Sequence, residues 1–203
     1  DYALSQKATA EGAQGLFQRK IKTLNTLISD HPRSRLADDA KYEVAMTFLI
    51  LNNNTQALTF FNKVIQEHPR SSYAVKSMLR SGLVYYDLNQ YEQSIKIFKK
   101  VISKYPGTPE SREALASLRN VYVAINRVEE YYSYANNLGF ANVSQTEQDS
   151  LTYIAAENIY MENRCADAVV AFGSYINKFP RGYFAPNANY YMAECLLRSG
   201  DTL

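Results

Sequence analysis

The sequence predicts an all-α protein, a solenoid of antiparallel helix hairpins with about 11 helices stacked in one array over residues 1–203. Three observations predict it. Four closing turns (His31-Pro32-Arg33-Ser34, His68-Pro69-Arg70-Ser71, Tyr105-Pro106-Gly107-Thr108 and Phe179-Pro180-Arg181-Gly182) keep a 37-residue ruler, the fourth standing two steps beyond the third. Laid on one another at that step, the units form columns: small residues at Ala45, Gly82, Ala156 and Ala193, then Phe48, Tyr85, Tyr122, Ile159 and Leu196 three residues later. The stretch Pro69 to Pro106 is the most complete unit, with Gly82, Tyr85, Phe98 and Pro106 in order. Self-similarity at a fixed period of this size marks a repeat architecture.

The columns have a steric cause. Where two helices of a hairpin cross closely only a small side chain fits, and a large one a turn away fills the gap. Second-helix columns hold Ala57, Ser94, Tyr131 and Ala168, then Phe61, Phe98, Ala135 and Phe172. They place first helices near 34–51, 72–88, 109–125, 145–161 and 183–199, and second helices near 55–67, 91–104, 128–137 and 164–178. Asn52-Asn53-Asn54, Asn89-Gln90 and Asn126-Arg127 supply polar turns between paired helices. Gly15 to Ile28 makes a second helix with Asp1 to Glu11 as its partner, weakly marked by Ala8.

The units therefore run over 1–33, 34–70, 71–107, 108–144 and 145–181, with a half unit at 182–203. Gly200-Asp201-Thr202-Leu203 aligns with the turn at Asn89, so the chain reads as a fragment that stops within a unit. The unit at 108–144 departs most: Arg119 stands in the small-residue column, Tyr131 and Ala135 exchange sizes, and the closing proline is absent. Its loop still leads into a helix start, because Ser144 and Glu147 have capping-box spacing.

Net charge is +2, which gives no sign of a nucleic-acid or membrane-surface protein, and 46% hydrophobic content suffices for a core. Residues 1–112 carry 16 basic and 10 acidic side chains, whereas 113–203 carry 6 and 10, so charge runs from positive to negative along the array. No stretch approaches the roughly 20 apolar residues of a membrane span. Cys165 and Cys195 lie in neighbouring units without metal-ligand spacing and read as buried free thiols rather than a disulfide.

Catalysis is disfavoured. The two histidines, His31 and His68, share one column before a turn proline, which marks a structural role. No nucleophile-base pair, zinc spacing or phosphate loop is present, and neither cofactor nor metal is expected. Asn53-Asn54-Thr55 and Asn142-Val143-Ser144 match the N-glycosylation sequon, and Asp149-Ser150-Leu151 and Asp201-Thr202-Leu203 match an O-glycosylation triplet, patterns short enough to arise by chance.

These columns resemble the tetratricopeptide repeat family over nearly the whole chain, with a unit of 37 rather than 34 residues. The phrase Phe61, Val64-Ile65, His68-Pro69-Arg70-Ser71 is similar to a bacterial subgroup that includes the repeat lipoprotein of the outer-membrane β-barrel assembly machinery and a periplasmic cell-division coordinator. The resemblance implies a right-handed superhelix and a non-enzymatic scaffold that binds a protein or peptide on its concave face. It also implies the periplasm or the periplasmic face of the outer membrane, with the cytoplasm as alternative, and a fragment of a larger Bacteroidota-type protein. The family's carboxylate clamp does not carry over, because the inward positions hold Tyr42 and Met46, Leu79 and Leu83, Ala116 and Asn120, Tyr153 and Glu157, and Tyr190 and Glu194. Candidate partner-binding residues are Tyr86, Asn120, Tyr153, Glu157, Tyr160, Tyr190 and Glu194, the glutamates suiting a basic or N-terminal feature of the ligand. Two other readings are an architectural spacer that assembles through its ends and convex side, and an RNA-binding helical repeat, which the acidic inner face opposes.

Overall fold

The computed structural model describes residues 1–199; the turn expected at Gly200 and the triplet Asp201-Thr202-Leu203 lie outside the described residues. Among the described residues the chain forms eleven helices and no strand. They are α1 (Tyr2–Ala13), α2 (Phe17–Asp30), α3 (Ala37–Ile50), α4 (Asn54–Glu67), α5 (Ser72–Asp87), α6 (Tyr91–Lys104), α7 (Pro109–Ala124), α8 (Val128–Asn136), α9 (Gln145–Met161), α10 (Cys165–Lys178) and α11 (Ala185–Ser199). Every boundary falls within three residues of the sequence expectation. The chain divides inside α7 into two compact units, Asp1–Ala114 and Leu115–Leu203. In the first, α1 packs on α2, α3 on α4 and α5 on α6; in the second, α9 packs on α10 and α10 on α11.

Backbone chemistry closes each hairpin the same way. Gly15, Asn52, Asn89, Asn126 and Asn163 all have positive φ, between 54° and 73°, and stand 37 residues apart. Glycine and asparagine enter the left-handed region at the lowest cost, which is why they hold the residue just past a helix end. There the next amide reaches back across the turn: Asn53 N to Phe48 O at 2.8 Å, Gln90 N to Tyr85 O at 2.8 Å, Arg127 N to Tyr122 O at 2.9 Å and Arg164 N to Ile159 O at 3.3 Å. Second helices end differently. His31, His68, Tyr105 and Phe179 have φ between −126° and −129° and ψ between 53° and 65°, out of the helical region as a following proline requires. The histidines thus cap helices, and Lys41 Nζ approaches His68 Nε2 at 2.8 Å while pairing with Glu67 at 2.5 Å.

In the first unit the close crossing lies at Gly82. A Cβ built on it would sit 2.6 Å from Phe98 Cε1 and 2.7 Å from Cζ, so the ring occupies the volume that a side chain would need. Phe98 is fully buried, and Ser94 donates to the Gly82 carbonyl at 2.8 Å, satisfying one small residue of the crossing with another. Ala45, Ala57 and Phe61 repeat the arrangement one hairpin earlier, all at 0% exposure.

A recurrent aspartate tethers successive hairpins. Asp1 accepts from Ser34 Oγ at 2.7 Å, and Asp38 accepts from Ser71 Oγ, the residue that also caps α5 by accepting from Tyr73 N. The column continues at Asp149 in the second unit, where the carboxylate accepts from Tyr175 Oη at 2.6 Å and from Tyr183 N at 2.9 Å. That network nearly buries Asp149, and Ser150 donates to Thr146 O, so the triplet around it is committed to the fold.

The second unit also explains the irregular positions. Ser144 caps α9 by accepting from Glu147 N at 3.1 Å, but the Glu147 carboxylate turns to Arg119 Nη1 at 3.3 Å. The arginine in the small-residue column thereby gains a partner on α9. Tyr131 and Ala135 are both buried, so their exchanged sizes are accommodated within the core, and α8 spans only nine residues. The expectation of two free thiols is overturned: Cys165, at the start of α10, and Cys195, on α11, form a disulfide with Cα atoms 5.1 Å apart. Direct packing of α10 on α11 brings them together. The bridge closes a loop over a separation of 30 residues, a stabilisation of about 3 to 4 kcal/mol in the chain-entropy account.

Two predictions test this packing. Gly82→Leu is expected to destabilise by about 1 to 3 kcal/mol through overpacking. Phe98→Ala should cost about 3 to 5 kcal/mol by opening a cavity. Urea denaturation measures both, and equal tolerance at the two sites would contradict the crossing. The second concerns alkali. The hydrogen bond to Asp39, with burial, pushes the Tyr73 hydroxyl up to about 12, and burial pushes Tyr132 up to about 12. A folded state that holds these protons more tightly than the unfolded chain is fully favoured below the ordinary tyrosine value near 10 and loses that advantage as pH rises through 12. Melting temperature should therefore fall between pH 10 and 12, together with late tyrosinate absorbance at 295 nm; tyrosines that all ionise near 10 in the folded protein would refute it.

Candidate functional site

Helical spacing places Tyr153, Glu157 and Tyr160 on one face of α9, and Tyr190, Glu194 and Leu197 repeat those positions on α11 one unit later. Neighbouring helices decide what each can do. Tyr153 is 3% exposed: its ring stacks on Phe184 at 4.4 Å with 10° between planes and lies near Phe172 and Tyr175. Its hydroxyl donates to Glu157 Oε1 at 2.7 Å, and burial first, then this bond, holds it well above the ordinary tyrosine value. Tyr153 is therefore a core residue that orients a half-buried carboxylate.

Tyr160 forms the parallel arrangement between helices. Its hydroxyl donates to Glu194 Oε2 at 2.9 Å, and its ring lies 4.5 Å from Tyr191. The bond to Glu194 is the main cause of its raised pKa, with burial second. Arg198 pairs with the same carboxylate and lies 5.8 Å from the centre of the Tyr160 ring. A guanidinium held between a carboxylate and an aromatic face is charge-assisted and partly stacked. Glu157 occupies the same column one unit earlier, but Met161 stands where Arg198 stands for Glu194, and Glu157 makes no ion pair among the described residues.

Tyr190 is 66% exposed, edge-on to Tyr191 at 5.5 Å, and is the open aromatic of this face. The structure thus brings together Tyr153, Glu157, Tyr160 and Glu194 with Tyr190 beside them. Asn120 is exposed on α7, and Tyr86 belongs to the other unit, half-buried and edge-on to Tyr91 at 5.8 Å, where burial raises its pKa. The sequence reading missed Tyr191, Phe184 and Arg198. Arg198 four residues after Glu194 was the available signal for an ion pair within the helix. Among the described residues no group of His, Cys, Asp and Glu could hold a metal, and no helix is long and apolar enough to cross a membrane.

Residues 39–71 and 76–108 match the tetratricopeptide repeat family. No curated protein matches. Among solved structures, a tetratricopeptide repeat protein from Parabacteroides merdae superposes with a TM-score of 0.58 at 13% identity, over 98% of this chain and 73% of that one. MamA from Desulfovibrio magneticus RS-1 gives 0.54 at 15% identity, over 87% of this chain and 93% of that one. The pilF protein of Pseudomonas aeruginosa gives 0.50 at 16% identity, over 97% and 88%. At these identities the likeness bears on the fold alone. The two matched segments coincide with the regular hairpins α3–α4 and α5–α6, which are tetratricopeptide repeats, and the chain's fold is of tetratricopeptide type.

Proposed function

We propose that the chain is a non-enzymatic scaffold that captures a segment of a partner polypeptide on the face formed by α9 and α11, in the bacterial cell envelope. The observation that carries the reading is the contrast between two equivalent glutamates. Glu194, reached by Tyr160 from the neighbouring helix, holds Arg198 against that ring, whereas Glu157, oriented by Tyr153 of its own helix, has no cation beside it among the described residues. The occupant that completes it is a lysine, arginine or N-terminal amine of the partner, with exposed Tyr190 as a neighbouring anchor of large rigid area. The compartment rests on a separate observation. A disulfide persists in an oxidising space, and the Cys165–Cys195 bridge supports the periplasm over the cytoplasm.

Buried Tyr153 is unsuited to a test of binding, because its loss would weaken the core. The informative change is Tyr190→Ala with Glu157→Gln. Peptides selected from a displayed random library against the wild-type chain should be rich in Lys or Arg and bind the double variant at least about tenfold more weakly, with helical circular dichroism unchanged. Retained affinity would remove this face from the proposal. In cells, alkylation with a mass-tagged maleimide should leave both cysteines unmodified until reductant is added. Two tagged thiols in the native protein would return it to a reducing compartment.

A further inference from the structure

A cleft of about 750 Å³ opens in the second unit between the α7–α8 turn and the outer face of α10. Its floor includes Ile159 and Ala171, its rim includes Arg164, and Val170 at the mouth is 69% exposed. Ile159 and Ala171 are smaller than their counterparts in the preceding units: Phe48, Tyr85 and Tyr122 come before Ile159, and Phe60, Ile97 and Tyr134 before Ala171. Those columns meet, since the Phe48 and Phe60 rings lie 5.7 Å apart. In the first unit, Tyr85 and Ile97 line a smaller recess of about 550 Å³. Two reductions in size thus fall together in one unit, at one junction.

Arg164 shows what is missing. It stands 37 residues after Arg127, and each begins the same polar turn, Asn-Arg followed by an acid three residues on. Arg127 pairs with Glu130 and lies 5.8 Å from the centre of the Tyr122 ring, while Arg164 pairs with Asp167 at 2.7 Å and Glu162 at 3.0 Å and has Ile159 where Arg127 has Tyr122. Carboxylates engage the edge of a guanidinium and leave its flat face able to stack on a ring. The Arg164 side chain is about half exposed, so that face can be reached from solvent.

We propose that this cleft is a second docking site, which takes an aromatic side chain of a partner polypeptide beneath Arg164, in the place that Tyr122 fills beneath Arg127. None of Tyr153, Glu157, Tyr160, Tyr190 and Glu194 lines the cleft, and the site survives if the α9–α11 face binds nothing. The neighbouring pairs Arg127–Glu130 and Lys178–Glu129 edge the cleft with balanced charge, so selection rests on the ring and its stacking rather than on net charge.

The test uses the whole chain with isoleucine and valine methyl labels, followed by NMR. The probes are the peptides acetyl-GSYSG-amide and acetyl-GSLSG-amide, and free p-cresol. The tyrosine peptide should shift the Ile159 and Val170 methyl signals, and the leucine peptide should bind about two- to fivefold more weakly, the size of one exposed cation–π contact. Ile159→Tyr, which restores the column, should abolish the shift at Val170 and keep or raise the melting temperature. Arg164→Gln should remove the preference for tyrosine over leucine while the fold is unchanged. Equal binding of the two peptides, no binding of either, or a lowered melting temperature for Ile159→Tyr overturns the proposal. Binding of p-cresol at the cleft without binding of either peptide would also overturn it, because the site would then serve a free aromatic molecule.

Discussion

A hairpin of two short helices cannot hide its apolar stripe alone, and the rest of this structure depends on how closely the two helices of each hairpin approach. The Gly82–Phe98 crossing sets that distance by excluding a side chain from one helix and filling the vacated volume with a ring from the other. Ala45 with Phe61 and Ala156 with Phe172 satisfy the same condition with a methyl group in place of hydrogen. Close approach demands a tight turn, and the positive-φ residues at 15, 52, 89, 126 and 163 provide it. Crossing and turn are thus one constraint with two signatures in the sequence, a small residue and an asparagine or glycine seven positions later.

Much of the fold was legible because both signatures are local. Tyr91–Lys104 and Gln145–Met161 were bounded by turn residues and columns without reference to any distant partner. The asparagine period was visible too, but it was read as ordinary turn polarity, since its cause is a backbone angle. What escaped depends on neighbours across the fold. Asp1, Asp38 and Asp149 share a column, yet their partners lie about one unit away, and Val75 and Arg112 interrupt the series. Cys165 and Cys195 occupy unrelated columns, so periodicity held no hint of the bridge that α10 and α11 create.

The candidate site was partly legible for a related reason. Column equivalence groups Tyr153 with Tyr190 and Glu157 with Glu194, but treats members of a column as alike. Exposure separates them: Phe184 covers Tyr153, while Tyr190 stays open. Charge separates the glutamates, because Arg198 pairs with one, while Met161 leaves the other with a tyrosine hydroxyl but no cation among the described residues. A repeat reading therefore finds where a site lies more readily than which side chain is available to a ligand.

The departures from the columns are more informative than agreement with them. Arg119 departs and finds Glu147; Tyr131 and Ala135 depart together and compensate within the core. Those irregularities are repaired, one by an ion pair and the other by packing in the core. Ile159 and Ala171 depart together in the opposite manner, since no nearby side chain grows to refill the volume and a cleft remains beside an arginine whose repeat-mate stacks on a ring. Left in a packed protein, such a loss lowers stability through missing van der Waals contact. A gap that keeps the companion of the lost group in place has the shape and chemistry of a receptor for that group, which is the physical distinction between drift in a repeat and a site built from one.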